Sequence, residues 1–146
     1  MLQLSETIVN RDVLSLRTGS PIGQVIAPII NPDNLKIEGF YCNDFDALTD
    51  PSELVRLKKL LDMNFELIGK PIETLSHDKV GKVSDYAFES STMYIQKIYA
   101  SRSLLKSLTT GSLSIDRAQI QEITPKRIII NDLLQGNRIQ ANAVAA

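Results

Sequence analysis

The chain is poor in the residue types that most active-site chemistry needs. Among its 146 residues there is one cysteine and one histidine. Cys42 has no partner for an internal disulfide and no signal peptide precedes it, so the chain reads as cytoplasmic. In the apolar run Phe40-Tyr41-Cys42 this thiol reads as a small buried hydrophobe and not as a nucleophile. His77 alone rules out a His-rich metal site and leaves any Ser-His-Asp arrangement resting on a hairpin-turn residue. Asp78 and Asp85 near it read as turn and surface carboxylates. The seven glycines are scattered and never form GxGxxG or GxxxxGK, so a phosphate-cradling loop is missing.

Charge of one sign is missing too. Sixteen Lys and Arg against seventeen Asp and Glu leave a net charge of -1, too small a field to hold phosphate backbones or anionic lipids. Direct nucleic-acid binding is therefore not expected. Arg56, Lys58 and Lys59, and separately Lys126 and Arg127, are local basic groups that read as solvated faces and turns. No apolar run nears the roughly 20 residues of a membrane-spanning helix, so membrane insertion is not expected. Ile128-Ile129-Ile130 reads as a strand core. Asp44, Asp46, Asp50 and Glu53 are acidic and close together, but the Gly and Glu positions of a calcium loop are lacking. Capping and a solvated loop explain them.

What is present is an ordinary globular composition, 43% hydrophobic and 23% charged, in a length that suits one compact domain or two small ones. Sliding the sequence against itself by 58 positions matches Arg11–Cys42 to Gly69–Ala100 without a gap. Gly23 falls on Gly81, Val25 on Val83, Ile37 on Ile95 and Tyr41 on Tyr99. Apolar positions agree more widely, with Leu14 on Ile72, Ile22 on Val80, Ile30 on Phe88, Leu35 on Met93 and Phe40 on Ile98.

Each copy reads as a short apolar strand, a polar turn, a strand opening Gly-x-Val, and a long β segment ending in Tyr. The turns are Thr18-Gly19-Ser20-Pro21 and Ser76-His77-Asp78-Lys79. A second hairpin in each copy turns at Asn31-Pro32-Asp33-Asn34 and at Glu89-Ser90-Ser91-Thr92. After the second copy, Gly111 to Ile115 and Arg127 to Asn131 give two further β runs, with Ala118 to Ile123 and the breaker Pro125 between them. The first copy has no such pair and runs through Asn43-Asp44-Phe45-Asp46 into a helix, which implies a truncated or irregular first module or one completed from elsewhere. Asp50 as N-cap, Pro51 at the first helical position and Glu53 at the third open that helix. Leu54, Leu57, Leu60 and Leu61 form its apolar face.

With these motifs placed, Leu67-Ile68-Gly69-Lys70-Pro71-Ile72 followed by Lys79-Val80-Gly81-Lys82-Val83 resembles the opening of a PRC-barrel domain. In that family a strand reading roughly iGkpV leads through a turn into kiGkV. Leu113-Ser114-Ile115 and Arg127-Ile128-Ile129-Ile130-Asn131-Asp132 resemble its later strands. The resemblance covers Leu67–Asp132 well and Thr7–Tyr41 more loosely, where Ser20-Pro21-Ile22-Gly23-Gln24-Val25 stands in for the second strand. Gly23 and Gly81 are read as fold residues at strand starts, where small barrels bend.

The resemblance implies a mainly β fold of two tandem small PRC-type β-barrels joined by a short amphipathic helix. The divisions it implies are a first repeat over 1–48, a connector helix over 49–64, a second barrel over 65–133 and a tail over 134–146. In the family the barrel is an assembly or docking surface, as in the reaction-centre H subunit and the C-terminal part of the ribosome maturation factor. The expectation is a non-enzymatic binding or scaffolding protein with no catalytic, cofactor or metal site. A protein partner is expected, a homodimer is a secondary possibility, and the alternative is a ribosome or RNA-processing assembly factor. Tyr41, Tyr94 and Tyr99 are candidates for such a surface or for the core. Open strand edges and the amphipathic helix make strand addition or self-association plausible.

Overall fold

The computed structural model describes residues 1–44, 55–101 and 113–132. The fold is mainly β. Its strands are β1 (Leu2–Leu4), β2 (Asp12–Leu14), β3 (Pro21–Asn31), β4 (Lys36–Asp44), β5 (Pro71–Thr74), β6 (Lys79–Glu89), β7 (Ile95–Ser101), β8 (Leu113–Asp116), β9 (Ile120–Ile123) and β10 (Ile128–Ile130), with one helix, α1 (Val55–Met63), between β4 and β5. Short 3-10 turns cover Ser5–Thr7 and Arg117–Gln119. No helix among the described residues is long and apolar enough to cross a membrane.

Two sheets result, one ordered β2-β3-β4 and the other β8-β7-β6-β5-β10-β9, with β1 added to β6. Pairing is antiparallel throughout except between β5 and β10. Among the described residues neither sheet closes on itself.

The repeat is visible in backbone detail. An offset of 58 carries β3 onto β6, and it carries the register with it. Val25 faces Cys42 as Val83 faces Ala100, Pro28 faces Phe40 as Tyr86 faces Ile98, and Ile30 faces Ile37 as Phe88 faces Ile95. Both hairpins are interrupted at the same two places, between Val25 and Ala27 and between Ile29 and Ile30 in one, and between Val83 and Asp85 and between Ala87 and Phe88 in the other. Each interruption opposes two residues to one and bends the strand. The turns match as well. Asn31 and Asn34 accept from the N–H groups of Asp33 and Lys36 at 3.0 Å, where Glu89 and Thr92 accept from Ser91 and Tyr94 at 3.5 Å.

One pairing expected from the sequence is corrected. Val13 faces Gly23 as Ile72 faces Gly81, so Ile72 corresponds to Val13 and not to Leu14. The stretch from Ile72 to Gly81 is one residue shorter than the stretch from Val13 to Gly23, which breaks the ungapped match at that point. Solvation agrees with the new pairing, because Leu14 is exposed and Ile72 is buried. Gly81 has φ +145°, a conformation that side chains rarely adopt, whereas Gly23 is not in that region.

One hydrophobic core serves both repeats. It gathers Val25, Ile30, Leu35 and Ile37 from the first with Ile72, Val83, Tyr86, Phe88, Ile95, Ile98, Ile115, Ile128 and Ile130 from the second. The helix α1 lies against β3. Its Leu60 and Leu61 are half-buried while Lys58 and Lys59 are exposed, as an amphipathic connector requires. The proposed cap of Asp50, Pro51 and Glu53, the side chains of Arg56 and Leu57, Leu54, and the tail over 134–146 lie outside the described residues.

Candidate functional site

The two repeats meet at a seam built from equivalent residues. Leu35 and Met93 end their turns in the left-handed region, with φ +53° and +64°, a strained state for residues with a Cβ. Each is tied by its own N–H to the turn, Leu35 to the Asn31 carbonyl at 2.8 Å and Met93 to the Glu89 carbonyl at 2.7 Å. Their carbonyls turn toward the other repeat. Met93 O accepts from Ile37 N–H at 2.9 Å, and Leu35 O accepts from Ile95 N–H at 2.8 Å. Between these bonds Lys36 and Tyr94 face each other in a single antiparallel bridge.

Arg117 locks the seam from the second repeat. Its 3-10 turn is held by the Asp116 N–H donating to Gln119 Oε1 at 2.8 Å. From there the guanidinium donates to the Ile95 carbonyl at 3.1 Å and to the Asn34 carbonyl of the first repeat. The same guanidinium carbon lies 5.1 Å from the Tyr94 ring centroid, and Lys36 Nζ lies 5.6 Å from it. Two cations on one ring make Tyr94 a seam residue and not an open contact surface. Lys36 also approaches Glu38 at 3.8 Å.

Beside the seam is a cleft of about 220 Å³, with Pro32, Asp33 and Leu35 on one wall and Arg117, Ile120 and Glu122 on the other. It is smaller than the roughly 300–1,000 Å³ of typical small-molecule sites. Its one cation is already committed to two carbonyls.

The other residues singled out in the sequence are dispersed. His77 is exposed in the turn between β5 and β6 at φ +67°, its N–H donating to the Thr74 carbonyl at 2.9 Å. Asp78 is exposed, and its N–H donates to Thr74 Oγ1 at 3.1 Å. Asp85, expected at the surface, is half-buried instead. It accepts from Ser5 Oγ and from the Tyr86 N–H, because Ser5–Thr7 folds over β6. Burial, with the Asp85 charge adding to it, pushes the Tyr86 hydroxyl far above its ordinary range. That hydroxyl is buried without a hydrogen-bond partner among the described residues.

Of the basic groups, Arg127 is paired with Glu73 at 2.7 Å while Lys126 is exposed in a turn. Cys42 is free and half-buried, and Tyr99 is half-buried. Asp46, Asp50 and Glu53 fall outside the described residues, and of Asp44 only the backbone is described. No group of three His, Cys, Asp or Glu side chains suited to a metal ion gathers among the described residues. Arg117 and Lys36 were not legible as seam residues, since their meaning depends on which turns meet in space.

No protein-family model matches the chain, and no curated protein matches it.

Proposed function

We propose that the protein is a non-enzymatic binding or scaffolding module made of two PRC-type repeats. The observation that carries this reading is the seam, where equivalent turns of two repeats are locked around Tyr94 over one shared core. Such a joint holds the three-stranded sheet of the first repeat to the larger sheet of the second through backbone bonds, which leaves the outer strands of both as surface for a partner. The family reading is supported by the placement of its motifs. Pro71-Ile72 opens β5, Lys79-Val80-Gly81-Lys82-Val83 opens β6, and the two strands pair antiparallel. The exposed apolar side chains of Ile26 and Tyr41 on the first sheet add a surface of the kind proteins use for recognition.

The test is affinity purification of the tagged full chain from its native cell at low and moderate salt, with mass spectrometry of what copurifies. A reproducible protein partner at both salts is the expected result. Ribosomal proteins or RNA lost steeply with salt would move the reading to an assembly factor. No partner at either salt would overturn it.

A further inference from the structure

We propose that the outer edge of β4, over Gly39–Asn43, accepts an extended strand from a partner protein, antiparallel, uncharged and apolar at alternate positions. This rests on the binding reading above and names its surface. The internal repeat supplies the evidence. In the second repeat β8 pairs along β7, with Lys97 facing Asp116, Ile98 facing Ile115, Tyr99 facing Ser114 and Ala100 facing Leu113. The equivalent residues of β4 are Gly39, Phe40, Tyr41 and Cys42, and no strand lies along them among the described residues.

The segment equivalent to β8 has become something else. Val55 stands 58 residues before Leu113, and there the chain is in α1, which lies against β3. Its sequence Val-Arg-Leu-Lys-Lys-Leu-Leu is rich in strong helix formers. Solvation records the difference. Ile98, covered by Ile115, is 0% exposed, while Phe40 in the same position is only half-buried. On the outward face Tyr41 is 44% exposed, and Ile26, the extra residue of the β3 bulge, is 55% exposed where the second repeat has Ser84.

The edge continues an interface already made, since β4 is bridged to the second repeat up to Ile37. Gly39–Asn43 carries no charged side chain to blunt it, which favours an uncharged strand. A second copy fits poorly. Symmetric pairing of two copies over the whole of Gly39–Asn43 centres on Tyr41, and that register sets Glu38 against Asp44 of the other copy, a like-charge pair.

The probe is a synthetic peptide of residues 110–116 with Asp116→Asn and blocked termini, added to the full chain and followed by amide hydrogen exchange. Exchange is expected to slow at alternate amides of Gly39–Asn43 and to stay unchanged at Lys97–Ala100. An Ile115→Pro peptide should bind at least about tenfold more weakly, because proline there removes a donor that points at the edge, as the opposite parity of Asp116, whose N–H turns to Gln119, requires. Tyr41→Lys with Ile26→Lys in the protein should have a similar effect. The proposal is overturned if the peptide slows no edge amide, if those amides are already slow in the monomer, or if they slow only as the protein dimerises. If the double variant still captures the partners found by affinity purification, the binding reading stands and the edge proposal falls.

Discussion

Lys36 and Tyr94 face each other across a single antiparallel bridge, and they are the same residue of two repeats. The flanking bonds are likewise exchanged between equivalents, Ile37 to Met93 and Ile95 to Leu35. The bridge therefore marks an internal pseudo-two-fold, and at the bridge itself it is the side chains that break it. A lysine on one side and a tyrosine on the other allow a cation to rest on a ring, and Arg117 adds a second.

Arg117→Ala removes two bonds to carbonyls and one cation from the ring. A loss of about 2–3 kcal/mol is expected, since charged hydrogen bonds contribute roughly 1.5–3 kcal/mol with partial screening at this half-buried site. Arg117→Lys should recover less than half, because an ammonium cannot fork between Asn34 and Ile95. Urea unfolding monitored by tyrosine fluorescence measures both. A loss under about 0.5 kcal/mol for the alanine variant would show that the clamp is incidental.

Tyr86→Phe should be neutral or slightly stabilising, within about 1 kcal/mol, because it deletes a buried hydroxyl that bonds to nothing among the described residues. The same urea titration checks it. A loss well beyond that range would reveal a partner for the hydroxyl.

Ile98→Ala empties a fully buried site and is expected to cost about 2–5 kcal/mol. Phe40→Ala, at the equivalent position, should cost less per atom removed because Phe40 is only half-buried. Comparing the two by thermal unfolding reads the asymmetry of the repeats directly. Equal costs per atom would contradict it.

Asp132 predicts a pH effect. Hydrogen bonds from the Ser76 hydroxyl, and next from its N–H at 3.0 Å, hold this carboxyl below the ordinary aspartate value. A depressed folded value means that the interaction stabilises above the ordinary range and is lost as pH falls through the lowered value. Ser76→Ala should therefore raise the Asp132 titration toward its ordinary position, as a carbon-detected NMR titration would show. An unmoved midpoint would refute the assignment.

Local signals carried much of this fold. The hairpins at Asn31–Asn34 and Glu89–Thr92 were legible because turn residues and β-branched runs act over a few positions, and the same holds for β8, β10 and the helix. The offset of 58 was legible because buried positions keep their apolar character when identities are lost. The one-residue difference between the segments Val13–Gly23 and Ile72–Gly81 was not, since polar turns accept length changes without leaving an apolar trace. Nor was β1, three residues whose pairing with β6 is a long-range choice. The seam escaped for a similar reason. Leu35 and Met93 are ordinary apolar residues in sequence, and their left-handed backbone arises only where two turns converge.

The parallel pairing of β10 with β5 has a consequence for how the chain is made. Ile128 lies beside Ile72 and Ile130 beside Thr74, so contacts near the middle of the chain wait on residues synthesised more than fifty positions later. Until Ile130 has emerged, one edge of β5 lacks its neighbour and Ile72 lacks part of its cover. Contacts so distant along the chain form slowly, because a long loop must close before they reward it. The sheet of the second repeat therefore cannot be completed until Ile130 has emerged, whereas β2, β3 and β4 of the first repeat are neighbours in sequence and need no such long closure to pair.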